Sequence, residues 1–295
     1  MTLPGLEPDL AEVESFDGTL LAARRMGADD GLPLLLVNAI GAAFVSWART
    51  AVDLVRERPV VAWDHRGLLA SGPAVTDRFD ARAQAEDALA VMDHFGFEEF
   101  FVAAWSSGTR IALELAASEH ERVKGLALVS GTYGHPASRL LRLDVAAALP
   151  VMASVGKYFA RPLGGLMQRF VARPEIAGMV RQSGMVGATA DTLAIVELLR
   201  GAASCDMKVL LETYQAVDGD SGRPLLEDIT CPTLVVVGDR DPFTSASNVT
   251  DVASAIGSTQ VITYEGATHY LPFEFPGRLS HDLRSFMAEV APQPA

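Results

Sequence analysis

The chain is predicted to fold as an α/β protein: a mostly parallel eight-stranded sheet flanked by helices, with one helical segment inserted. Three observations carry this. Apolar runs of four to seven residues alternate with amphipathic stretches, as buried parallel strands and their covering helices do. The alternation breaks once, from His135 to Asp228, where only helix-like pieces punctuated by Pro150, Pro162 and Pro174 occur. A length of 295 residues suits one large core with an insertion. The expected division is a core of residues 1–134 and 229–295 and a helical cap of residues 135–228.

Residues 13–25 read as a hairpin, because Asp17-Gly18 is a favoured two-residue turn between alternating strands. Buried strands follow at LPLLLVN (32–38), PVVAWD (59–64), FFVAAW (100–105), GLALVS (125–130), TLVVVG (233–238) and QVITYE (260–265). Residues 79–95, 107–118 and 278–290 carry apolar side chains at helical spacing. The inserted segment holds Met152, Met167, Met179, Met185 and Met207, five of the nine methionines. Such flexible thioethers either pack between helices or line an adaptable apolar pocket.

Hydrophobic residues make up 49% and charged residues 21%, which leaves little room for disordered tracts. The net charge of −13, with no Lys/Arg-dense stretch, repels a phosphate backbone and argues against a nucleic-acid partner. No segment reaches 18 uninterrupted apolar residues, and the opening MTLPGLEPDLAEVESFDG lacks a basic stretch followed by an apolar one. The expectation is a cytoplasmic protein without a membrane partner; a homodimer is left open. Cys205 and Cys231 are too few for a disulfide framework and lack metal-ligand spacing. A single disulfide between them is also left open.

The stretch AAWSSGTR (103–110) joins a predicted strand to a predicted helix through two serines. A serine nucleophile on a sharp strand-to-helix turn needs small residues two positions before and after it. Ser106 has Ala104 and Gly108, whereas Ser107 has Trp105 and Thr109, so only Ser106 meets the steric rule. The Ser107 amide, at the helix N-terminus, is then a candidate oxyanion donor. Taken alone, the two serines fit a helix cap as well. A serine hydroxyl also needs an imidazole to take its proton and a carboxylate to orient that imidazole. TLVVVGDRDPF supplies acids after one strand, and QVITYEGATHYLPFEFP supplies a histidine after the last.

Serine, acid and histidine, in that order at three strand ends, resemble the α/β-hydrolase family with a helical cap over nearly the whole chain. The resemblance implies that the acid is the last residue of Gly238-Asp239-Arg240-Asp241, hence Asp241, with Asp239 as the fallback. It assigns the base to His269 in Gly266-Ala267-Thr268-His269, and the second oxyanion amide to Ile40 in Asn38-Ala39-Ile40-Gly41. That loop is similar to the one in 3-oxoadipate enol-lactonases and related lactone or ester hydrolases. DHRGLLASG (64–72) resembles the family's DxRGHGxS loop, with Leu68 and Leu69 as departures. His65 is expected to satisfy a loop hydrogen bond, and His94, His120 and His281 to be solvated. Asn38, Trp105, Tyr133 and His135 are the candidate substrate contacts. The implied activity is hydrolysis of a small ester, lactone or thioester through an acyl-enzyme, with neither a metal nor an organic cofactor implied. Acyl transfer, carbon–carbon bond hydrolysis and cyclisation use the same triad, and a hydrolase-like ligand receptor is a reading of another class.

Overall fold

The computed structural model describes residues 7–134, 164–219 and 221–291. One eight-stranded sheet runs in the order β1-β2-β4-β3-β5-β6-β7-β8. Its strands are β1 (Asp9–Glu14), β2 (Leu20–Gly27), β3 (Leu34–Val37), β4 (Pro59–Trp63), β5 (Phe100–Trp105), β6 (Val123–Val129), β7 (Thr233–Gly238) and β8 (Thr259–Tyr264). β2 is antiparallel to both β1 and β4, and every other pairing is parallel. Each of the six predicted runs is a strand, its ends displaced by no more than two residues, but the last, β8, is an edge strand and mostly exposed rather than buried.

The β1–β2 connection differs from the two-residue turn that Asp17-Gly18 predicts. Ser15 donates its amide to Thr19 (2.9 Å) and Gly18 donates to Ser15 (3.0 Å), which leaves a three-residue loop. Gly18 at φ +86° supplies the left-handed residue that closes such a loop.

Side chains of the central strands alternate between two apolar layers, because successive residues of a strand face opposite sides. Leu35, Val37, Phe100, Val102 and Ala104 meet α2 (Ala81–His94) and α3 (Gly108–Ser118) on one face. Leu34, Leu36, Phe101, Ala103 and Trp105 meet α1 (Val45–Leu54) and the C-terminal helix on the other. At the edge, Arg66 is fully buried, with Nη2 2.5 Å from Asp87 Oδ1 and Nη1 2.9 Å from Asp17 Oδ2. Burial opposes its charge, but the two carboxylates more than compensate and raise the guanidinium pKa. This cluster ties the β1–β2 loop and α2 to the loop after β4.

Between β6 and β7 the described residues are helical: 164–171, α4 (Ile176–Gln182), α5 (Thr192–Ser204), α6 (Met207–Asp218) and a 3₁₀ turn (Arg223–Asp228). No strand occurs among the described residues there, and residues 135–163 lie outside them. Asp191 caps α5 by accepting from the Ala194 amide and pairs with Arg49 of α1 at 2.6 Å. The chain then continues through α7 (Ala246–Ala255), α8 (Leu271–Glu274) and α9 (Pro276–Val290).

The methionines of this segment play neither role expected of them as a group. Met167, Met179 and Met185 are 44–48% exposed, Met207 is buried, and Met152 is outside the described residues. Cys205 and Cys231 are free buried thiols, which closes the disulfide alternative. Burial pushes the Cys231 thiol up to about 11 and raises that of Cys205 as well. Iodoacetamide at pH 8 is therefore expected to label neither cysteine in the native protein and both after denaturation; native labelling seen by intact-mass measurement would contradict this.

Candidate active site

β5 feeds into α3 through a turn at which Ser106 takes φ +57°, a left-handed conformation that a non-glycine residue holds only when its surroundings impose it. The Ser106 amide donates to Val129 at 3.0 Å, and the Thr109 hydroxyl sits between the carbonyls of Ser106 (2.6 Å) and Thr132 (2.8 Å). Gly108 is required for a reason the ±2 rule does not give. A Cβ there would lie 2.4 Å from the Asn38 carbonyl oxygen, so only glycine lets α3 approach the loop after β3.

The Ser106 hydroxyl lies 2.7 Å from His269 Nε2. His269 Nδ1 in turn lies 3.0 and 3.1 Å from the two Asp241 oxygens. Asp241 is fixed independently: Oδ1 accepts from the amides of Phe243 (2.8 Å) and Thr244 (3.1 Å), and Oδ2 from the Thr244 hydroxyl (2.8 Å). Burial alone would raise its pKa. Its bonds to His269, Phe243 and Thr244 outweigh burial and hold it below the usual carboxylate range. Asp239 is directed elsewhere, accepting from the Gly266 amide at 2.7 Å.

The histidine loop is held from two sides. Trp105 Nε1 donates to the His269 carbonyl at 3.0 Å. The buried carboxylate of Glu274 accepts from the Thr268 amide (2.8 Å), the Thr268 hydroxyl (2.6 Å) and the Gly187 amide of the β6–β7 segment (2.6 Å).

The loop after β3 meets the turn from the opposite direction. The Ile40 amide donates to the Ser107 side-chain Oγ at 2.9 Å. The amide expected to face a substrate oxygen is thus engaged by the neighbouring hydroxyl. His65 braces this loop: its Nε2 lies 3.1 Å from the Asn38 carbonyl, and burial lowers its pKa, favouring the neutral ring.

Ser106 and His269 open onto a cavity of about 300 Å³. Ala39, Ile40 and Trp105 form its floor; Leu198, Ala202, Leu210 and Tyr214 of α5 and α6 face them, with Phe243 and Tyr270 beside the imidazole. Among the described residues, no Asp, Glu, Lys or Arg lines it. Of the four predicted contacts, Trp105 does. Asn38 does not: its side chain is buried against the Trp63 carbonyl and the Ser46 hydroxyl. Tyr133 does not either: its hydroxyl reaches Asp251 at 2.6 Å. His135 lies outside the described residues, and His94, His120 and His281 are exposed.

Sequence reasoning missed the helical wall. Its signal was present in the four-residue spacings Leu198/Ala202 and Leu210/Tyr214, each a helix face, but spacing does not say what a face meets. Among the described residues no cluster of His, Cys, Asp and Glu could hold a metal, and no helix is long and apolar enough to cross a membrane.

A family model described as alpha/beta hydrolase fold matches residues 33–276. The chain belongs to this hydrolase family. It is 25% identical over 262 residues to a putative carbamate hydrolase, RutD, of Azorhizobium caulinodans, spanning 88% of this chain and 92% of that one. Its fold is similar to that of a thermophilic esterase from Thermogutta terrifontis, with TM-score 0.74, 21% identity, and coverage of 96% of this chain and 99% of the other. It is similar also to the enol-lactonase from Burkholderia xenovorans LB400, with TM-score 0.73, 20% identity, and coverage of 95% and 99%. The α/β-hydrolase fold predicted from the motifs is therefore the fold of the chain.

Proposed function

We propose that this hydrolase cleaves a carboxylic ester or lactone of an uncharged, partly apolar small molecule through an acyl-enzyme. The observation that carries the reading is the unbroken run from Ser106 through His269 to Asp241, placed at the floor of an apolar cavity. Ser106 Oγ attacks the carbonyl carbon while its proton passes to His269 Nε2, and the carbonyl π pair moves to oxygen. Collapse of the tetrahedral adduct expels the alcohol oxygen, which takes the proton back from His269. Water then repeats the two steps on the acyl-enzyme and releases the acid. Asp241 keeps the Nδ1–H tautomer and stabilises the transient imidazolium. Residues 135–228 act as the cap on a core of 1–134 and 229–295, supported by α5 and α6 standing over the cavity.

The relatives named as an esterase and an enol-lactonase fit this chemistry. A carbamate, suggested by the RutD relative, presents the same acyl carbon with a less reactive carbonyl. A fluorophosphonate probe is expected to label the protein at Ser106, with turnover of p-nitrophenyl esters. Absence of both sinks the proposal. Labelling without turnover favours acyl transfer, cyclisation or a receptor role instead.

Among the described residues the cavity carries no charged side chain to compensate a buried substrate charge. p-Nitrophenyl butyrate is therefore expected to exceed the hemisuccinate ester in kcat/KM by about 10-fold or more. Equal or reversed values would rule out the neutral-substrate assignment.

A further inference from the structure

Five residues that line the cavity carry polar side-chain atoms: Trp105, Ser106, Tyr214, His269 and Tyr270. Trp105 Nε1 is engaged with the His269 carbonyl at 3.0 Å, and Ser106 Oγ faces His269 Nε2 at 2.7 Å. The two phenols remain. Tyr270 is the one in ring contact with the imidazole, with centroids 6.1 Å apart and planes at 90°. Its hydroxyl bonds to no described residue, yet the oxygen is not sealed off and stays open to a molecule in the cavity. Burial raises its pKa, so the phenol keeps its proton and can donate.

The ring is held in place from outside the cavity. The Tyr270 amide donates to Thr268 Oγ1 at 3.3 Å, and its carbonyl accepts from the amides of Phe273 (2.9 Å) and Glu274 (3.1 Å). Trp105 and Phe273 pack against the ring at centroid distances of 6.2 and 6.3 Å. A donor positioned in this way loses little freedom when it binds. The chemistry says which part of a substrate it meets. His269 returns its proton to the alcohol oxygen, so the alcohol portion lies beside the imidazole, where Tyr270 stands.

We propose that the Tyr270 hydroxyl is a specificity-determining donor to an acceptor oxygen on the alcohol portion of the substrate. The substrate class is then an uncharged ester or lactone with an ether or carbonyl oxygen a few bonds beyond the scissile one. This rests on the acyl-enzyme reading above and narrows its substrate. An alkyl group set against this hydroxyl leaves it unpaired in an apolar cavity, so the site discriminates against plain alkyl alcohols as well as favouring oxygenated ones.

The test compares kcat/KM for 2-methoxyethyl butyrate and butyl butyrate, which differ by one oxygen in place of one methylene, with acid release followed by pH-stat. Tyr270→Phe removes the hydroxyl and keeps the ring. The methoxyethyl-to-butyl ratio is expected to fall by about 3- to 10-fold from its wild-type value. A merely structural hydroxyl would slow both esters alike and leave the ratio where it was. Tetrahydrofurfuryl and cyclopentylmethyl butyrate form a rigid pair that differs in the same way. Butyl 3-methoxypropanoate and butyl pentanoate place the same difference on the acyl side, where the ratio should move less than twofold. Should thermal melts show that the phenylalanine variant does not fold, Tyr270→Met, which also lacks the hydroxyl, supplies the ratios. A fall in either alcohol pair bears the assignment out. Unchanged ratios in both, or an acyl-side shift as large as theirs, overturn it and leave the hydrolase mechanism standing. Labelling by the fluorophosphonate probe without turnover of the oxygenated esters overturns the substrate class as well. Lack of both labelling and turnover overturns the hydrolase mechanism, and this assignment with it.

Discussion

Ser106→Ala is expected to lower kcat for ester hydrolysis by about 10⁴-fold or more while leaving the fold intact. Its Oγ atom lies 2.7 Å from the imidazole nitrogen that would receive its proton. Without it, the remaining donors bind a carbonyl but have nothing to add to it. Alanine keeps the left-handed backbone at position 106, so its melting temperature should stay near that of wild type. Ser106→Gly separates chemistry from strain, because glycine takes φ near +57° at little cost. It should be equally inactive yet more stable, by about 1 kcal/mol. Residual turnover of Ser106→Ala above one per cent of wild type would place the nucleophile elsewhere.

Asp241→Asn is expected to lower kcat by about 10⁴-fold, through the wrong tautomer rather than through lost geometry. Oδ1 accepts two backbone amides, from Phe243 and Thr244, so the asparagine carbonyl oxygen must take that place. The amide NH₂ then falls where Oδ2 stood, 3.0 Å from His269 Nδ1. It donates to Nδ1, which forces the ring proton onto Nε2, the nitrogen that should accept from Ser106. Asp239→Asn should cost only a few-fold, since Asp239 bonds Gly266 and not the imidazole. A larger loss at position 239 than at 241, measured by kcat on one ester, would reverse the assignment.

The lowered Asp241 pKa also fixes the direction of its contribution to stability. Its folded pKa lies below its unfolded one, so its contribution is present above the unfolded value, about 3.9. It is lost only as pH falls through the lower folded value. Asp241→Asn should therefore flatten the acid limb of a stability-against-pH curve.

The reach of sequence reasoning follows the range of the interactions involved. The elbow, the acid and the imidazole were legible because each is a local strand-end motif, and the parallel sheet then brings those ends together. Helix α1 was not foreseen: Phe44 offers no side-chain cap, and its apolar residues follow the β3 loop without a break. Asn38 and Tyr133 were placed near substrate by position alone. Their partners, Trp63, Ser46 and Asp251, lie 25, 8 and 118 residues away in sequence, and no pattern announces which of two directions a side chain takes. The Ile40–Ser107 contact was hidden for the same reason, since it joins loops 67 residues apart.

The Glu274 carboxylate carries a consequence for the cavity wall. It holds the loop that carries His269 and, through Gly187, the segment leading into α5, whose Leu198 and Ala202 line the cavity. Displacing that segment strips one of three donors from a buried side chain, at a cost of about 1–3 kcal/mol. The segment before α5 and the loop carrying the base thus share one buried carboxyl group, and whatever coupling it supplies between them is reciprocal.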